Sequence, residues 1–350
     1  MSLIRQHWLD NLRCLAIVLV VLIHCSDMVF RDSQLSTESW WAINLYQSLS
    51  AMAVGLFLLI SGALIPSLGW QIELAGYIRA RYRKLLVPCL LWSLAYASLF
   101  IAIGKRDFSF TQIILDLLRG DITSHLWFIY TICGLYLLVP LVNQVLKIEN
   151  RAINTIFTIF WCLAVSTLLL GFQHTGFETS TDFLLAPYYI GYFLVGAWIA
   201  RSSWVPQIGT KLVFGLLIIL LITLTAWFTY VKTLTNEGWL YPYYYHYLSP
   251  NIIALSVLTF LIFKTRAKIT HTRRRANQLF QKCVGALAYH SFGIYLVHVF
   301  ILEVLVWFVG GPAIWNVIIT PKFGAPALTI ILLVASLTCC VSYNRIRNRI

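Results

Sequence analysis

Apolar residues gather into runs of about 18 or more, divided by short stretches rich in charge, proline and glycine, and a run of that length is what an α-helix needs to cross a bilayer. Such runs lie at 9–30, 41–66, 85–104, 125–146, 152–171, 183–200, 211–231, 243–263, 287–309 and 325–343. In hydrocarbon the backbone N–H and C=O groups must be satisfied within the segment, so each run predicts a helix. The pattern predicts an all-α fold: a polytopic transmembrane helical bundle of about ten helices, forming a single integral-membrane domain over residues 1–350. No internal repeat, low-complexity tract or appended soluble domain interrupts it.

Composition supports the membrane reading and removes other classes. With 59% hydrophobic and 11% charged residues and a mean hydropathy of +0.78, the chain lies outside the soluble globular range. If the N-terminus is cytoplasmic, 20 of the 26 Lys and Arg residues fall on the cytoplasmic side and both termini lie there. The net charge of +13 is then mostly topogenic, and nucleic acid is not expected as a partner. The first run is too long for a signal peptide, carries Arg13 and His24 and lacks a small-residue cleavage site, so it is expected to remain as the first span. Eight cysteines without C-x-x-C spacing read as small core hydrophobes, and no metal site is expected.

Against that background, ionisable residues inside the spans stand out. Arg13 and His24 are eleven positions apart in the first run, which on a helix puts them on nearly the same face and ~16 Å apart along the axis. Asp10 is one turn before Arg13 and Asp27 one turn after His24, so each has a carboxylate within reach, and Asp27 is placed to fix the imidazole tautomer. Arg13 also suits snorkelling to the headgroups, and His24 a structural hydrogen bond to a neighbouring helix. In YIRARYRKLLVP, residues 77–88, Arg81 and Lys84 at i and i+3 are expected to aim at one cytoplasmic pocket, with Arg83 beside them. Such a pocket suits phosphates, although four cations before a span also serve as a positive-inside anchor. In HSFGIYLVH, residues 290–298, Ser291, Tyr295 and His298 form an i, i+4, i+7 stripe, followed by Glu303 at membrane depth. His298 reads equally as a hydrogen-bonded structural residue and as part of a site, and Glu303 calls for a histidine or tyrosine partner. HLWFIY, residues 125–130, suits an interfacial aromatic belt, with His125 a candidate for the outer mouth of a cavity. Ser61 and Gly62, in GLFLLISGALIP, permit close helix approach.

Taken in order, LDNLRCLAIVLVVLIH, FLLISGALI, RARYRKLLVP, HLWFIY and HSFGIYLVH make the chain resemble the acyltransferase-3 family of integral-membrane acyltransferases along essentially its whole length. The opening block and the short length are similar to bacterial inner-membrane O-acetyltransferases of that family. The resemblance implies a multi-pass protein of the bacterial inner (plasma) membrane. It also implies transfer of an acyl group, usually acetyl, from cytoplasmic acyl-CoA to a hydroxyl of a carbohydrate or lipid-linked glycan. Acetyl-CoA is then a co-substrate, and no permanently bound cofactor is expected; the other partner is membrane lipid. Carried over by position, His24 is the motif histidine with Asp27 beside it, Arg13 the motif arginine, and Arg81 and Lys84, with Arg83, the donor-side cations. The competing class is a transporter or flippase for a glycan or small metabolite, against which stands the lack of matching Gly/Pro-broken spans in two halves.

Overall fold

The structure is a computed structural model that describes residues 7–30, 37–65, 74–148, 150–175, 186–235, 242–264, 275–309 and 321–347. In chain order its helices are α1 (His7–Phe30), α2 (Glu38–Ser50), α3 (Met52–Ala63), α4 (Leu74–Ala102), α5 (Phe110–Arg119), α6 (Trp127–Leu137) and α7 (Val139–Val145). They continue with α8 (Arg151–Thr175), α9 (Ala186–Arg201), α10 (Ile208–Thr235), α11 (Pro250–Phe263), α12 (Arg275–Val309) and α13 (Pro321–Arg347), with a 3₁₀ turn at Pro242–Tyr245. Among the described residues there is no strand. The fold is an all-α polytopic helical bundle, and the protein is a multi-pass membrane protein.

Among the described residues, seven helical stretches are long and apolar enough to cross a membrane, or eight when α6 and α7, bent by 55° where they meet, count as one span. All ten expected runs carry helix, but α9 has only 16 residues. That is about 24 Å of rise against a core of about 30 Å. The break before α7 has a local cause: Pro140 lacks the N–H that would reach the Tyr136 carbonyl. Three helix starts differ most from the hydropathy pattern, among them that of α12, which begins at Arg275 rather than 287. The basic segment before residue 85 is helical and continuous with α4, since Arg and Lys are good helix formers whatever their polarity. Conversely, the tyrosine-rich start of the 243–263 run forms the 3₁₀ turn, and α11 begins only at Pro250. The short α5, within a stretch expected to be loop, is closed by Ser109, whose hydroxyl accepts from the Gln112 N–H, and by Gly120 at φ 82°.

The chain divides into two compact units, Met1–Phe57 with Ser203–Ile350, and Leu58–Ser202. In the first, α1 is packed by α2, α11, α12 and α13. Leu12, Ala16, Ile17 and Val21 are fully buried, so α1 is the central helix of this unit. Cys14 lies near Cys283 and His24 against His298, so α1 and α12 run parallel. Trp8 meets Phe260, ring centres 5.2 Å apart, and Asp27 lies near Tyr247, so the 247–260 stretch runs the other way. In the second unit α6 packs on α4 and α9, and α8 on α9. Outward-facing Ile156, Phe160 and Leu163 of α8 belong in lipid, as do Leu212, Leu216 and Ile219 of α10 in the first unit.

Candidate functional site

The parallel course of α1 and α12 brings two imidazoles together inside the first unit. The His24 and His298 rings lie 5.1 Å apart centre to centre, tilted by 52°. His298 is completely buried. Its Nδ1 is 2.8 Å from the Tyr295 carbonyl oxygen and 3.0 Å from that of Ile294. Carbonyls only accept, so Nδ1 carries the proton and donates, and Nε2 of the neutral ring holds the lone pair. His24 is only partly buried. One turn further along α1, Asp27 is within electrostatic reach of both His24 and the Tyr247 phenol. The Tyr295 ring stands 6.1 Å from that of His298. His24, Asp27, Tyr247, Tyr295 and His298 therefore form one cluster, with His24 turned toward the bundle interior.

Arg13 occupies the other end of the same helix. Because α1 is continuous, Arg13 and His24 keep nearly the same face, ~16 Å apart by helical rise. The Arg13 guanidinium is 3.2 Å from the buried Asp10 carboxylate, which balances its charge. Ser291 is buried and donates to the Ala288 carbonyl at 3.0 Å, the usual back-bonding of a helical serine. Glu303 is half-buried, five residues beyond His298 and so on another face of α12.

In the second unit Arg81 lies against a pair of aromatic rings that meet edge to face, its guanidinium carbon 5.3 Å from the Tyr77 ring centre and 5.4 Å from that of Tyr136 on α6. Cation–π contacts of this kind hold a guanidinium in place. Arg83 and Lys84 are exposed, and Lys84 shares its side of α4 with the exposed Val87 and Leu91. The i, i+3 pair thus diverges: packing against α6 takes Arg81, and Lys84 faces outward. His125 is buried, with Nδ1 3.1 Å from the Thr123 hydroxyl and Nε2 3.5 Å from the Tyr96 hydroxyl. Both ring nitrogens are engaged, which ties α4 to the start of α6.

Three features of the fold lie beyond the sequence pattern. Tyr247 joins the histidine cluster from the segment YPYYYHYLSP, whose density of tyrosines is a signal that hydropathy averaging hides. Tyr77 and Tyr136 around Arg81 come from two helices, and no local pattern pairs them. The third is Asn44, an amide inside an apolar run and therefore a visible signal. Its Nδ2 donates to the Ala226 carbonyl at 3.0 Å, and its Oδ1 accepts from the Tyr245 hydroxyl. Asn251 adds bonds of 2.8 Å to the Thr225 hydroxyl and the Tyr244 carbonyl, so a polar network joins α2, α10 and the 3₁₀ segment.

Among the described residues, no three His, Cys, Asp or Glu side chains are grouped to hold a metal ion. Comparison with curated proteins and with solved structures found no match. A family model described as an acyltransferase domain, that of the acyltransferase-3 family, matches residues 6–345 and runs through both units. With the family model matching nearly the whole chain and an all-helical membrane fold beneath it, this protein belongs to the acyltransferase-3 family and is a membrane acyltransferase.

Proposed function

We propose that the chain moves an acyl group, acetyl by preference, from cytoplasmic acyl-CoA to a hydroxyl of a carbohydrate or lipid-linked glycan, with His24 as general base. The observation that carries this reading is the His24 imidazole, turned inward at membrane depth beside a second imidazole and a carboxylate, in a chain of acyltransferase family. In the reaction His24 takes the proton of the acceptor hydroxyl as its oxygen attacks the thioester carbonyl. The tetrahedral intermediate collapses with loss of the C–S bond, and the CoA thiolate leaves with the proton returned from the imidazolium. No covalent enzyme intermediate is required.

Phosphate groups of the donor are the ligands proposed for the basic residues. Arg81 is foremost, because its two tyrosines pre-organise the guanidinium; Arg83 and Lys84 add charge from the exposed side of α4. Arg13 is the corresponding proposal in the first unit. Orientation fits the same scheme: α1 and α12 run parallel, so Arg13 and Lys282 lie toward one membrane face and the histidines toward the other. We assign the basic face to the cytoplasm and the protein to the bacterial inner membrane. The opening block is similar to that of the O-acetyltransferase that modifies enterobacterial common antigen, which makes a cell-surface glycan the first acceptor to test.

The test is radiolabelled acetyl-CoA added to inside-out vesicles. Label entering an acceptor is the expected result, and His24→Ala, correctly inserted, should lower transfer by about 100-fold or more. Wild-type transfer by that variant would remove His24 as base. Substrate-driven flux without acylation would replace the enzyme reading by transport.

A further inference from the structure

The cluster contains a second ring nitrogen that the reaction above does not use. We infer that His298 is a positioning residue for the transfer: its Nε2 accepts the N–H of His24 and so holds His24 in the tautomer whose other nitrogen offers its lone pair to the acceptor hydroxyl. This rests on the reading of His24 as base.

Three observations support the pairing. First, the Nδ1–H of His298 is committed to the carbonyls of Ile294 and Tyr295, which fixes the lone pair on Nε2. Second, the separation is right. A collinear N–H···N contact of ~2.9 Å, with ~1.1 Å from each nitrogen to its ring centre, gives ~5.1 Å. The observed centre-to-centre distance is 5.1 Å, with the rings tilted by 52°. Third, the burial is asymmetric. His24 keeps some accessible surface, whereas His298 is wholly buried. A leucine would fill the His298 site without burying polar nitrogens, so back-bonding to its own helix does not account for an imidazole there.

Two imidazoles this close behave as one unit with respect to the transferred proton, because like charges disfavour a doubly charged pair. When His24 takes the acceptor proton, its other N–H still points at the His298 lone pair, and the imidazolium is stabilised by a neutral partner. Return of the proton to the departing thiolate restores the neutral pair. Among the described residues, Asp27 on α1 lies near His24, Tyr295 on α12 near His298, and Tyr247, from the segment before α11, near Asp27. Asp27 lies on the same helix as His24, one turn on, and so approaches the ring from along the axis. His298 approaches from across the helix interface.

Three variants of the full-length protein in proteoliposomes test this. In His298→Gln the side-chain carbonyl reaches the Nε2 position; in His298→Asn it reaches only the Nδ1 position; in His298→Leu no acceptor remains. Expected are a fall in kcat of about tenfold or more for Leu and Asn, a KM for acetyl-CoA within about twofold of wild type, and substantial recovery in Gln. Independently of turnover, the pH midpoint for modification of His24 by diethyl pyrocarbonate, located by peptide mass spectrometry, should move in Leu and Asn and return in Gln. If the Leu variant fails to fold, Asn against Gln decides alone. Unchanged kcat and an unmoved midpoint in Asn, with His24→Ala still inactive, would overturn the pairing and leave the base in place. Were His24→Ala also active, the base reading itself would fall.

Discussion

Among single residues, the decisive groups are polar side chains in apolar surroundings, and the order of residues along the chain is enough to display them. Arg13 and His24 on one face of the first helix, and the 291, 295, 298 stripe, need only the helical period. What each group touches is a different matter. Arg81 and Lys84 share a spacing but not a fate, because α6 packs on one side of α4 only. Arg81→Gln should therefore raise the KM for acetyl-CoA about tenfold, and Lys84→Gln by less than about threefold, in steady-state transfer assays. Arg81→Lys should restore little, since an ammonium neither stacks against Tyr77 and Tyr136 nor presents a planar fork. Equal effects at both positions would return Arg81 to a topogenic role. Asn44→Leu strips partners from the Ala226 carbonyl and the Tyr245 hydroxyl. It should lower stability by about 1–3 kcal/mol, read as a lower unfolding temperature in detergent.

Between elements, helices pack closely in membranes through small residues, because lipid is as apolar as the side chains it would displace. The second unit shows this at the crossing of α3 and α9. A Cβ on Gly62 would collide with the backbone carbonyl of Phe193, and one on Gly196 with that of Leu59. The contact is reciprocal, backbone against backbone, and neither side has a flexible group that could yield. Gly62→Ala and Gly196→Ala should each destabilise by about 1–3 kcal/mol. Gly215→Ala on α10 has nothing within 4 Å of the new Cβ and should be neutral or stabilising. Thermal unfolding of the three variants in one detergent makes the comparison. Sequence marks Gly62 as a point of close approach; the partner, over 130 residues away, is a property of the fold. The α6–α7 break is legible in Pro140, and α5 in its Ser109 and Gly120 caps, although neither enters a count of long apolar runs.

For the molecule as a whole, orientation rests on where the basic residues collect. In a background with the exposed Cys283 and Cys339 replaced, a cysteine at Lys147 should react with a membrane-impermeant maleimide only in inside-out vesicles. A cysteine at Lys105 should react only in right-side-out ones. Reversed labelling would invert the topology and place the histidine pair toward the cytoplasm. The amino-acid order is sufficient for the solvent, the helical class and the polar side chains that stand within the spans. Each follows from local physics: a backbone in hydrocarbon must satisfy itself, and a charge or imidazole there is expensive enough to be conspicuous. Packing in three dimensions is what sets α1 and α12 side by side, brings His298 against His24, and sets Arg81 rather than Lys84 against the Tyr77 and Tyr136 rings. Those outcomes depend on which helix faces meet, and helical period places a residue on a face without naming the helix it will touch.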